Sequence, residues 1–258
     1  MPELHSLLQM PMVLVLLAVT FVAGLAHGTL GFGFPIISTP VVALFTDVKT
    51  AVLVTLFPNI AVNLISVLRG GHWRASLGKH WPVATYVLIG TIVGTHLLGA
   101  VEPEPLRLLL ASTMIVYLLQ ARLRVLDWSW INRHQRASSV LFGCMGGFLG
   151  GTVNVTVPPL VIYFMALSVE SLAMTQILNL CFLVSKSTQA ITLGVSGQIG
   201  LDVLVATTPL TMTAVAALLV GLRIQSRIRA QVYQALLRAV LWLMVLVLGM
   251  QAGWHYFS

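Results

Sequence analysis

Acidic side chains are scarce in this chain: Asp and Glu together number seven in 258 residues. Asp47, Glu102, Glu104, Glu170 and Asp202 all fall at the ends of apolar runs, while Glu3 and Asp127 lie outside them. Cation carriers and carboxylate proton relays depend on acids inside the membrane, so the scarcity argues against both. The only two cysteines, Cys144 and Cys181, sit within apolar stretches and read as packing residues rather than a disulfide or metal pair. Charge of either sign is rare, at 8% of residues, against about 25% in soluble domains. No HExxH zinc motif and no Ser–His–Asp arrangement is visible, so neither an enzyme nor a cofactor is expected. No basic segment precedes the first apolar run, which argues against a cleaved signal peptide.

Apolar length is what the chain has in abundance. Eight hydrophobic blocks occupy approximately 11–46, 49–69, 81–100, 105–121, 137–167, 171–193, 201–222 and 235–255. Runs of about 18 residues or more mark membrane spans, so the expected fold is an all-α polytopic membrane protein with the lipid bilayer as its partner. The net charge of +7 comes from basic residues in short loops. That placement is a topology signal rather than a nucleic-acid face.

Blocks one and five are too long for single spans, and they share a pattern. Residues 28–45 read GTLGFGFPIISTPVVALF and residues 147–164 read GFLGGTVNVTVPPLVIYF. Without a gap, Gly28 falls on Gly147, Gly31 on Gly150 and Pro40 on Pro159. Each block reads as a helix, a non-helical stretch and a shorter second helix. Broken apolar segments at matching places in two halves point to a transporter's binding site. The halves are expected at 1–121 and 137–258, joined by a basic connector at 122–136.

Loop charge sets the orientation. The loops at 69–80, 122–136 and 222–238 are basic, whereas 46–49, 101–105, 194–200 and the C-terminal tail are poor in Lys and Arg. Placing the basic loops in the cytoplasm makes blocks one and five hairpins that enter and return on the same side. Each half is then one hairpin plus three crossings, an odd number. The two repeats are therefore expected to have inverted topology, with both termini external. Single crossings by the long blocks would instead give parallel repeats and leave a basic loop outside.

Polar residues recur after each break at matched spacing. Thr55, Asn59, Ser66 and Arg69 in the first half correspond to Thr175, Asn179, Lys186 and Gln189 in the second. Offsets of 0, 4, 11 and 14 fall within about an 80° arc of a helix. Such stripes line a cavity or join helices by hydrogen bonds, and Asn59 and Asn179 are the candidate cavity residues. Lys186 costs about 2.5–3.5 kcal/mol in a span; it either faces the cavity or snorkels to the interface. With no acid in any span, the expected ligand is a small anion.

The breaks suit such a ligand. A helix starting inside the membrane directs free N–H groups and a positive dipole end at the cavity, and Pro35 and Pro158 suit a first helical turn. Candidate binding residues are Gly31, Phe32, Gly33 and Phe34 in the first copy and Gly150, Gly151, Thr152 and Asn154 in the second, with Thr156 as a further donor. The plainer reading of the glycines is close helix packing. His27 and His96, inside spans, could carry a coupled proton or simply bond a neighbouring helix. A sodium ion is the other candidate for coupling.

The doubled glycine–proline break, the RGGHWR stretch at 69–74 and GTIVGTHLLGAVEPEPLRLLLASTMIVYLL at 90–119 resemble the sulfite exporter TauE/SafE family. That family overlaps the 4-toluene sulfonate uptake permease group. The resemblance implies a transporter in the cytoplasmic membrane of a prokaryote, acting on sulfur-containing anions such as sulfite, sulfoacetate or other sulfonates. Phe32 and Phe34 stand where small residues are common in the family, which points to an organic or aromatic group beside the charge. An anion channel built of half-helices would share the broken segments.

Overall fold

A computed structural model describes residues 10–71, 73–123, 128–225, 241, 242 and 244–247, and these contain α-helices with no strand. The eighth apolar block, the basic loop beyond Gln225 and both chain ends fall mostly or wholly outside the described residues. The first long block forms α1 (Met10–Leu30) and α2 (Phe34–Phe45), followed by α3 (Val48–Arg69), α4 (Trp73–Ala100) and α5 (Pro103–Leu123). A short α6 (Ser129–Arg133) lies in the connector. The fifth block forms α7 (Gln135–Val153) and α8 (Val157–Ala166), followed by α9 (Ser171–Val195) and α10 (Leu201–Ile224). Among the described residues four helices are long and apolar enough to span a membrane, namely α1, α3, the His80–Ala100 part of α4, and α10.

Local chemistry explains the boundaries. Asp47 caps α3, its carboxylate accepting from Lys49 N at 2.7 Å and Thr50 N at 3.1 Å, which satisfies two of the N–H groups a helix start leaves unpaired. Gly31 and Gly33 break the first block with φ of 83° and 117°, values that a side chain disfavours. In the second block α7 continues through Gly150, Gly151 and Thr152 to Val153, and Asn154 makes the turn at φ 64°. Asparagine tolerates this left-handed region. The ungapped match of Gly31 to Gly150 therefore places the second break too early; it falls at residues 154–156.

Helices from one half pack mainly on helices from the other. The most extensive pairs are α4 with α7 and α1 with α10, followed by α9 with α4, α10 with α3, and α9 with α3. If α1, α3 and α4 are exchanged for α7, α9 and α10, this set maps onto itself. Glycines set the closest approaches. A Cβ on Gly147 would collide with the Val87 carbonyl, and one on Gly151 would lie 2.5 Å from the Thr91 carbonyl. Likewise a Cβ on Gly24 would lie 2.6 Å from the Ala214 carbonyl, and one on Gly28 would strike that of Leu218. The contacts advance in the same direction along both members of each pair, so α7 parallels α4 and α1 parallels α10. At these four glycines the requirement is close helix approach.

The connections gather at two ends. Lys49 Nζ donates to Gly99 O at 3.4 Å, Arg107 donates to Thr46 O at 3.0 Å, and Gly99 adjoins Gln198. At the opposite end Gly70 meets Gln176, Asn132 Nδ2 donates to Ala166 O at 3.0 Å, and the His80 and Phe164 rings touch at 5.7 Å. The end of α3 thus meets the start of α9, and the two helices are antiparallel. Large apolar side chains including Leu14, Phe21, Ile89, Val93, Val205 and Met212 are exposed on the outside of the bundle, as lipid-facing residues are.

Candidate functional site

The two breaks are held by asparagines of the opposite half. Asn179 on α9 donates through Nδ2 to the Gly31 carbonyl at 2.7 Å and to Thr175 O at 2.9 Å. In the counterpart arrangement, Asn59 on α3 donates to Asn154 Oδ1 at 3.2 Å. Asn154 in turn donates to Thr39 Oγ1 at 2.6 Å and Thr55 Oγ1 at 2.9 Å. Asn63 extends the chain of bonds by donating to Asn59 Oδ1 at 2.6 Å. All of these side chains are buried. Both N–H groups of Asn154 and of Asn179 are consumed by protein acceptors, so in this conformation the amides fasten the breaks.

Lys186 is buried, with 1% of its surface exposed. Its ammonium does not snorkel; Nζ donates to Gly150 O at 2.6 Å and Gln189 Oε1 at 2.5 Å. Gln189 Nε2 donates to Gly151 O at 2.8 Å. Gly150 and Gly151 lie in the last turn of α7, whose carbonyls have no further helical N–H to accept. The expected break residues of the second copy are thus carbonyl acceptors at a helix end. Thr152 donates to Phe148 O at 2.8 Å within α7.

The first break has a different character. Phe32 is half-buried, and Gly33 and Phe34 are buried, yet a Cβ built on Gly33 would meet nothing within 4 Å. Space is therefore present beside the start of α2. Phe34 opens α2 with Pro35 next, and the first N–H groups of a helix lack internal acceptors. His27, fully buried, bonds Ser66 Oγ through Nε2 at 3.0 Å. Among the described residues neither its buried Nδ1 nor the Oδ1 of Asn179, the side chain beside it, makes a hydrogen bond of good geometry. His96, by contrast, lies on the exposed surface of α4.

Several polar residues here escaped the sequence reading. Thr91 on α4 donates to Ser185 Oγ at 2.9 Å, beside the second break. Thr39 and Asn63 complete the Asn154 network. For Asn63, its place four residues after the stripe residue Asn59 is the signal that could have found it. Arg69, an expected stripe member, is exposed at the end of α3. Near the basic end a cavity of about 280 Å³ is lined by residues including His80, Tyr86, Gln135, Arg136, Ser139 and Tyr163.

Apolar helices with a lipid-facing exterior, broken twice around a buried polar interior, define a polytopic membrane protein of transporter type. A family profile, Sulfite exporter TauE/SafE, matches residues 16–251, and the chain belongs to that family. The protein is accordingly a membrane transporter of the anion-exporter type, with a small anion as substrate and the lipid bilayer as surroundings. No curated protein and no solved structure matches the chain.

Proposed function

We propose that the protein is a secondary transporter of sulfur-containing anions, such as sulfite, sulfoacetate or another organosulfonate. It moves them across the cytoplasmic membrane of a prokaryote by alternating access about the α3–α9 crossing. The observation that carries this reading is the open space at buried Gly33, under the start of α2. Backbone N–H groups of Phe32, Gly33 and Phe34 would hold the anionic group there, and the rings of Phe32 and Phe34 would face an organic substituent. Among the described residues no carboxylate lies inside a span to repel it, while Lys186 on α9 supplies a positive charge to the buried interior. When the transporter changes state, the clasps at Asn59, Asn154 and Asn179 exchange their protein acceptors for substrate.

Inverted repeats fit the same scheme. Antiparallel α3 and α9, and the gathering of the poorly basic connections at one end, support hairpins entering from opposite faces. The basic end would be cytoplasmic, with the cavity at Arg136 as its anion vestibule and the chain's ends outside. Reconstituted protein in proteoliposomes should show saturable, gradient-driven flux of at least one among sulfite, thiosulfate, sulfoacetate and an arylsulfonate. Unitary conductance without saturation would replace the carrier by a channel, and no flux of any of the four would reject the substrate class.

A further inference from the structure

A buried lysine bonded to carbonyl oxygens, with no carboxylate beside it among the described residues, calls for an explanation beyond packing. An isolated ammonium in the apolar interior is costly unless its donors are matched. Lys186 meets the Gly150 carbonyl and the Gln189 amide oxygen. Gln189 is turned so that its oxygen faces the ammonium, because its nitrogen is spent on Gly151 O. The hydroxyls of Thr156 and Ser185 lie beside Gly150, where a Cβ would strike the first and lie 2.7 Å from the second. The carbonyl end of α7 adds the negative pole of its helix dipole. Neutral oxygens converging at the carbonyl end of a discontinuous helix are how transporters hold a coupling sodium ion.

We propose that Lys186 is a tethered cation: its ammonium occupies an oxygen site that would otherwise take a monovalent metal ion, and it thereby frees the transporter from sodium. The first half departs from the second at this point. The matching position carries Ser66, which bonds Val62 O at 2.8 Å and His27. The lysine is therefore not a requirement of the repeat's packing. A neutral donor would satisfy Gly150 O equally well as a cap; what only lysine or a metal ion adds is charge. That charge offsets the anion, so the transport consequence rests on the anion-carrier reading, whereas the cation site itself does not.

The test uses the full chain in detergent and in proteoliposomes. The thermal midpoint of the native protein should be the same in sodium chloride and in choline chloride of equal ionic strength, and its flux should be indifferent to sodium. In Lys186→Ala, sodium or methylammonium, but not choline, should raise the midpoint in a saturable manner. Lys186→Gln, which keeps a neutral donor, should fold yet lose transport by more than about tenfold, equivalent to about 1.4 kcal/mol of lost attraction for the anion. Sodium dependence of the native protein, or full transport by folded Lys186→Gln, would overturn the proposal. So would a Lys186→Ala midpoint indifferent to every cation. If the native protein moves none of the tested anions, the anion-carrier reading fails while the midpoint measurements still decide the cation site.

Discussion

Asn59 and Asn154, 95 residues apart, meet through a side-chain hydrogen bond of 3.2 Å, and through it the break of one half is fastened to a helix of the other. The bond joins a helix position that repeats in Asn179 to a turn that only the second half makes with asparagine. Two demands converge on Asn154. Its backbone is left-handed, and its side chain serves three partners.

The two demands separate by substitution. Asn154→Gly keeps the turn and loses the bonds, which at typical interhelical values costs about 1–2 kcal/mol. Asn154→Ala loses the bonds and adds about 1–2 kcal/mol of left-handed strain. Thermal midpoints should fall in the order native, glycine, alanine. An alanine variant at least as stable as the glycine variant would show that the turn conformation carries no cost.

Glycines at packing contacts and at the break should respond differently. Gly147→Ala places a methyl group into the Val87 carbonyl of α4, and overpacking of this kind costs about 1–3 kcal/mol or more. Gly33→Ala meets open space and pays only for its φ of 117°, about 1–3 kcal/mol. The first variant should lose expression and midpoint in proportion. The second should remain folded and lose transport, since its methyl enters the proposed anion space; normal flux in Gly33→Ala would remove that space from the mechanism.

Asn179→Leu removes the donor that holds the Gly31 carbonyl. Transport should fall to background while the protein remains monodisperse on size-exclusion chromatography. Full retention of flux would leave Asn179 with a packing role alone.

Accessibility to a membrane-impermeant maleimide reads the arrangement of ends. Among the described residues Cys144 is half-buried and Cys181 buried, so both are replaced by alanine first. Ser196→Cys in the 194–200 connection should label from outside the cell and Arg136→Cys only from the cytoplasm. Labelling of both from one face would contradict the proposed hairpins.

The vestibule is tested by charge. Arg136→Glu should raise KM about three- to tenfold at low ionic strength with kcat nearly unchanged, because steering of a charged ligand acts on encounter. The difference should shrink as salt screens the field. A loss confined to kcat would place Arg136 in the transport step instead.

The sequence by itself determined that the protein is α-helical and lives in lipid, because apolar length and missing charge leave no other solution. It also located the two broken segments and the face of each striped helix, since glycine, proline and helical periodicity act within a few residues. It could not tell where the second break falls. Glycines at 150 and 151 match a break in pattern, yet Ser185 of α9 closes on Gly150, α4 packs against Gly151, and α7 stays helical until Asn154. Nor could periodicity say which neighbour a face meets. His27 and His96 look alike in sequence, but one is enclosed and the other exposed. Lys186 could equally have reached for the interface. Only the folding of α7 across α9 put the Gly150 carbonyl within reach of Lys186 and the Gly151 carbonyl within reach of Gln189, because contacts between residues 36 and 38 apart depend on how helices cross.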